Sequence, residues 1–278
     1  MASMIIGGLQ KFSLLDYPEH ISAIIFTQGC NFRCHFCYNP MLVWPKEVGR
    51  VKNIPVQREE KDHTLVEEDD LFRFLKERTG KLEGVVITGG EPTLHADLPE
   101  FIKKIKEFGY LVKLDTNGTN PEMVERLIFG EEYRDKGFEL GNIEFDPSQP
   151  PLKTRGGAMG ATLANYVAMD LKAPAEKYER VVGAKIDFSN IQKSVKIIME
   201  SGLPYEFRTT IVPGLHEKAD IEKMGEIIKG AEKWYLQKFK SDIDLVDLNY
   251  KGGVSFTDKE MEEMAEIGRR FVKACEWR

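Results

Sequence analysis

Cysteine is scarce in this chain, four residues in 278, and a chain long enough to build its own core has no need of a disulfide scaffold. No apolar run approaches the roughly eighteen residues that a membrane-spanning helix requires. No charged-then-apolar segment opens the sequence, so a cytoplasmic protein with no membrane partner is expected. Basic residues are outnumbered, 39 Lys and Arg against 45 Asp and Glu, for a formal net charge of -6. That balance disfavours a broad phosphate-binding face, leaving nucleic acid as a partner only through a local basic patch. His63, His95 and His216 have no neighbour at metal-ligand spacing and read as ordinary loop histidines. What the chain does have is 42% hydrophobic residues and a length suited to one domain, residues 1–278, of alternating strands and helices.

Three of the four cysteines fall in Cys30-Asn-Phe-Arg-Cys34-His-Phe-Cys37. Iron–sulfur clusters are normally held by four cysteine thiolates, so a set of three on a four-iron cluster would leave one iron open to a small molecule. The competing reading is structural zinc, which also uses closely spaced cysteines but wants four protein ligands. Cys275, three residues from the C-terminus, is the one other cysteine, and His35 could serve only if the loop turned back on itself.

Strand-like apolar runs at Ile21–Thr27, Gly84–Thr88, Leu111–Asp115, Tyr166–Leu171, Tyr205–Val212 and Tyr235–Phe239 alternate with helical stretches. The first helix opens at Glu67–Asp70 and stops at Gly80; others are expected near 98–108, 190–201 and 218–233, with a C-terminal amphipathic helix carrying Met264, Ile267, Phe271 and Cys275. Such alternation favours a parallel α/β sheet with functional groups at the C-terminal strand ends. Periodicity alone allows either a flat doubly wound sheet or a partial barrel.

Four polar motifs sit at those strand ends. Gly89-Gly90-Glu91-Pro92 offers two glycines that permit close backbone approach beside a carboxylate, or is a plain strand-to-helix turn. Asp115-Thr116-Asn117-Gly118 has oxygen ligands but also the composition of a tight turn. Asp170 and Lys172 in Met169-Asp170-Leu171-Lys172 are either site residues or the solvated lip of a sheet. Arg208 is a guanidinium inside an apolar strand and must face a carboxylate or water, in a site or in a structural ion pair. Trp234 and Phe239 read as core.

The Cys-x3-Cys-x2-Cys spacing, with Phe36 before the last cysteine, resembles the radical S-adenosylmethionine (SAM) superfamily. The resemblance implies a partial (β/α)6 barrel, a [4Fe-4S] cluster on Cys30, Cys34 and Cys37, and SAM chelated at the open iron. It implies that Gly89, Gly90 and Glu91 receive the SAM ammonium. By likeness to pyruvate formate-lyase activating enzyme it implies that Asp170, Lys172 and Arg208 contact SAM, and that Asp115, Thr116 and Asp170 hold a monovalent cation beside its carboxylate. The stretches Gly7 to Pro18 and Phe26 to Phe32 resemble anaerobic ribonucleoside-triphosphate reductase activating proteins. That implies a glycyl radical enzyme as partner and flavodoxin or ferredoxin as electron donor. The alternative within the same chemistry is a radical SAM enzyme for a small molecule; the non-enzymatic alternative is a zinc-stabilised interaction module. Residues 45–63 and 130–164 depart from a compact version of the pattern as irregular insertions, and one of them is expected to contact a partner or cover the barrel mouth.

Overall fold

A computed structural model describes residues 4–43, 65–130 and 162–278. The stretch 45–63, with His63, and all of 130–164 except Gly130 and residues 162–164 lie outside the described residues.

One eight-stranded sheet runs through the described residues in sequence order. Its strands are β1 (Ile6–Ser13), β2 (Ser22–Thr27), β3 (Gly84–Gly89), β4 (Leu111–Thr116), β5 (Tyr166–Asp170), β6 (Tyr205–Ile211), β7 (Lys233–Lys238) and β8 (Ala274–Trp277). β1 pairs antiparallel with β2, and every later neighbour is parallel. The helices are α1 (Pro40–Val43), α2 (Glu68–Arg78), α3 (Leu98–Glu107), α4 (Pro121–Phe129), α5 (Tyr178–Val182), α6 (Phe188–Glu200), α7 (Lys218–Ile227) and α8 (Asp258–Gly268). From β2 to β7 each strand is followed by at least one crossover helix, so six strand–helix units form the expected partial barrel. The six predicted strands all occur, with ends shifted by a residue or two.

Alternation along the strands separates two environments. Ile25, Ile87, Leu114, Val167, Phe207 and Trp234 pack into one core with helix residues such as Leu75, Ile102, Leu127, Ile198 and Met264. Positions of the other parity, Ile24, Val86 and Tyr166, form a separate buried cluster with Tyr17. Tyr17 lies against Gly84, at the start of β3, where an added Cβ would come within 2.7 Å of its ring, and meets Tyr166 edge-on at 6.0 Å between centroids. The turn-like Asp16-Tyr17-Pro18 thus folds a ring into the sheet's N-terminal end.

One strand was not anticipated and two expectations are corrected. Gly7 to Ser13 is a strand, disguised in the sequence by its Gly-Gly start; at Gly7 an added Cβ would come within 2.5 Å of Leu42 Cδ2. The helix from 218 ends at Ile227, not 233: Gly230 takes φ +86° and donates its N–H to Phe271 O at 2.8 Å, turning the chain into β7. Cys275 is on strand β8, not in the last helix, which stops at Gly268, where an added Cβ would come within 2.4 Å of Cys275 Sγ. Trp234 and Phe239 are core, as expected. Among the described residues no helix is long and apolar enough to cross a membrane.

Candidate active site at the C-terminal strand ends

The cysteine loop leaves β2 at its C-terminal end and is closed by its own backbone. Gly29 N–H donates to Leu42 O at 2.7 Å and Cys30 N–H to Val43 O at 3.3 Å. Arg33 N–H donates to Val182 O at the end of α5, and Arg33 Nη1 donates back to Cys30 O at 2.5 Å and Phe32 O at 2.6 Å. On the far side Val246 N–H donates to Cys37 O at 3.1 Å and Asp247 N–H to His35 O at 2.9 Å, so the segment after β7 also straps the loop. Phe36 is buried and meets His216 edge-on.

All four cysteines are free thiols. Burial pushes Cys30 and Cys34 up to about 12 and raises Cys37, while the nearby Lys172 cation pulls all three back down. Such thiols ionise when a bound metal replaces the proton. The two candidates for a fourth zinc ligand are elsewhere. His35 Nδ1 faces Asp247 at 3.2 Å and its ring stacks on Tyr250; Cys275 is buried against Trp234 and Gly268 beside β7. Among the described residues no three His, Cys, Asp or Glu side chains are placed to hold a metal ion. A zinc site needs its ligands around one point, whereas each thiolate of a cluster binds its own iron. Cys30, Cys34 and Cys37 are three soft donors on one loop, the donor type that holds an iron–sulfur cluster.

The Gly-Gly-Glu turn lies directly on this loop. Gly90 N–H donates to Thr27 O at 2.9 Å and Glu91 N–H to Gly29 O at 2.8 Å. Gly89 takes φ +117°, and an added Cβ at Gly90 would come within 1.9 Å of Gly29 O. Close approach of the cysteine loop's own backbone, rather than of a ligand, is what requires these glycines. Glu91 is buried and already enclosed: it accepts from Thr93 N–H (3.1 Å), Thr93 Oγ1 (2.5 Å), Thr116 Oγ1 (2.8 Å) and Asn117 N–H (2.6 Å). Burial raises its pKa, and those hydrogen bonds oppose the rise. Its carboxylate joins the turns after β3 and β4. Asn117 Nδ2 then donates to Asn31 Oδ1 at 2.8 Å, carrying the connection back to the cysteine loop.

The strand-end charges form a second group. Arg208 donates from Nη1 to Asp115 Oδ2 and from Nε to Asp170 Oδ1, both at 2.9 Å. Lys172 Nζ donates to Asp170 Oδ2 at 2.9 Å and Lys113 Nζ to Asp115 Oδ1 at 2.5 Å. Burial alone would raise both carboxyl groups, but the adjoining cations win: Asp115 is held low by Arg208 and Lys113, and Asp170 falls to about 2 beside Arg208 and Lys172. Lys172 is raised, since Asp170 and the Cys34 thiol outweigh its burial. The predicted site residues thus gather into two linked groups. Cys30, Cys34, Cys37, Phe36, Gly89, Gly90, Glu91 and Thr116 make one, and Asp115, Asp170 and Arg208 the other, with Lys172 between them.

Two contributors escaped the sequence reading. Lys113 is one, with a side chain 2% exposed and its ammonium 5.8 Å from the Tyr166 ring centroid. Its signal was a second charge two places before Asp115 in an apolar strand, hence on the same face. His216 is the other, buried rather than an ordinary loop residue. Val212 N–H donates to its Nδ1 at 3.1 Å, so its proton sits on Nε2, which donates to Lys172 O at 2.8 Å. Burial lowers its pKa and favours the neutral ring. Nothing in the sequence links residues 172 and 216. His95 plays a smaller part of the same kind, its Nε2 donating to Gln28 O at 3.1 Å.

Residues 24–131 match the model of the Radical SAM superfamily. A Methanocaldococcus jannaschii protein named "Putative glycyl-radical enzyme activating enzyme" is 29% identical over 96% of this chain and 93% of its own length. The pyruvate formate-lyase-activating enzyme of Streptococcus mutans is 24% identical over 81% of this chain and 72% of its own. Among solved structures, SuiB of Streptococcus suis bound to S-adenosylmethionine aligns with a TM-score of 0.54 and 14% identity, covering 90% of this chain and 48% of that one. QueE of Escherichia coli aligns with a TM-score of 0.51 and 15% identity, covering 99% and 93%. At these identities the two structures speak for the fold alone.

Proposed function

Because residues 24–131 match the Radical SAM superfamily, we propose that the chain is a glycyl-radical-enzyme activase whose partner is an anaerobic ribonucleoside-triphosphate reductase. The observation that carries the chemistry is the set of three free thiols without a fourth, gathered at the C-terminal strand ends within the field of Lys172. The activase reading draws on likeness, over most of their lengths, to proteins named as activating enzymes.

Cys30, Cys34 and Cys37 would hold a [4Fe-4S] cluster, with SAM beside it. When bound, the pair supplies a one-electron cleavage of the sulfonium, the electron coming from reduced flavodoxin or ferredoxin, that yields methionine and a 5'-deoxyadenosyl group able to take a hydrogen atom from a glycine Cα. The chain's own part is positioning. The backbone at Gly89 and Gly90, fixed against Gly29, presents polar groups to the SAM ammonium, and Glu91 holds that turn. Lys172 places a cation between the thiols and Asp170, and Asp170, Lys172 and Arg208 would contact SAM. Buried Phe36, fixed by His216, keeps water from the cluster.

The test is to mix the reconstituted, reduced protein and SAM with the candidate reductase and record its electron paramagnetic resonance spectrum. A glycine-centred radical doublet on the reductase is expected. Deoxyadenosine formation without that doublet would reject this partner and direct attention to another protein or a small molecule.

A further inference from the structure

The resemblance that implies SAM also implies a monovalent cation held by Asp115, Thr116 and Asp170, and the donor set found here does not fit one. Both oxygens of each carboxylate already receive a cationic donor: Asp115 from Lys113 and Arg208, Asp170 from Arg208 and Lys172. Thr116 Oγ1 is turned the other way, donating to Glu91 and accepting from Gly118 N–H at 3.1 Å. Along the array Lys113–Asp115–Arg208–Asp170–Lys172 the charges alternate and sum to +1, so an added cation would face net repulsion rather than an unpaired carboxylate.

The array is fixed by strand register. Asp170 and Arg208 are direct partners across β5 and β6, so their side chains leave the same face of the sheet. Lys113 lies two residues before Asp115 on β4 and shares its face. Its ammonium is enclosed between the Asp115 carboxylate and the Tyr166 ring, itself held by a hydrogen bond from Tyr166 Oη to Glu206 Oε2 at 2.9 Å. A buried ammonium persists only where a partner neutralises it, and here that partner is one of the two carboxylates the cation would need.

We propose that Lys113 and Arg208 supply the positive charge of this carboxylate pair from within the chain, so that SAM binding at the site is independent of any alkali-metal cation. Lys113 is on this account a positioning residue: it fixes Asp115 and, through the shared guanidinium, Asp170. The proposal rests on the reading of these strand ends as the SAM site.

The test compares anaerobically reconstituted protein in choline, sodium and potassium chloride at one ionic strength, about 0.15 M. SAM affinity is measured by equilibrium dialysis, and thermal midpoint is followed without SAM. The expected result for the unaltered chain is agreement of the three affinities within about twofold, with no cation-specific shift in midpoint. Lys113→Met should create a cation requirement, with SAM bound at least about fivefold more tightly in sodium or potassium than in choline. A saturable gain with sodium or potassium in the unaltered chain would overturn the proposal, as would a folded Lys113→Met protein indifferent to the salt. If that variant does not fold, the salt series on the unaltered chain decides alone. No SAM binding in any salt would instead overturn the SAM-site reading, and the midpoint series would still decide the cation question.

Discussion

One missing methyl group at Gly90 brings the loop after β3 into hydrogen-bonding contact with the cysteine loop. An added Cβ there would meet Gly29 backbone atoms at 1.9 and 2.5 Å, which no rotamer change relieves. Gly90→Ala should therefore push the two loops apart, at a cost of about 1–3 kcal/mol as in other overpacked sites. Iron and sulfide retained per chain after anaerobic reconstitution are expected to fall well below those of the unaltered protein. Full cluster content with unchanged SAM affinity would show that the contact is dispensable. The same scale shows why the charged residues at strand ends are held so firmly. Arg208 touches two carboxylates and each carboxylate touches two cations, so removing any one leaves a desolvated charge behind.

At the scale of elements, strands β2 to β7 carry the site while the β1–β2 connection closes the opposite end. Tyr17 fills the space beside Gly84 and Tyr166 and is 3% exposed. Tyr17→Ala should remove about 3–5 kcal/mol of stability, the usual range for emptying an aromatic site in a core. The check is equilibrium denaturation of both proteins, and a loss below about 1 kcal/mol would deny the residue a packing role. This element also marks the limit of what the sequence disclosed. The cysteine loop, the Gly-Gly-Glu turn and the charges at Asp170 and Lys172 were legible because each is a local pattern ending an apolar strand, and Arg208 because it is a charge inside one. Tyr17 and His216 were not read as packing or site residues because their partners lie far along the chain: Tyr17 meets Tyr166, and His216 reaches Lys172; Lys113 had a local signal in Asp115 but no sign of its burial beside Tyr166. Glu91 was legible as a site residue, but its hydrogen bonds to Thr116 and Asn117 required the packing of β3 beside β4. Strand β8 was lost for another reason. Its four residues follow directly on helical periodicity, and pairing with β7 overrides that pattern.

For the whole molecule, parallel order has one consequence above the others: successive strands deliver their C-terminal ends to the same edge of the sheet. Cysteine thiols from the loop after β2, a Gly-Gly turn from β3, carboxylates from β4 and β5 and a guanidinium from β6 meet there, although residues 30 and 208 are far apart in the chain. The central claim is that this edge carries reductive SAM cleavage on three cysteines. The most direct measurement is 5'-deoxyadenosine formed from SAM by the anaerobically reconstituted, chemically reduced protein, with Cys34→Ala, Cys30→Ala and Cys37→Ala alongside. The account predicts product from the unaltered chain and loss to background in each variant. Zinc bound without sulfide, or product that survives loss of a cysteine, would contradict it.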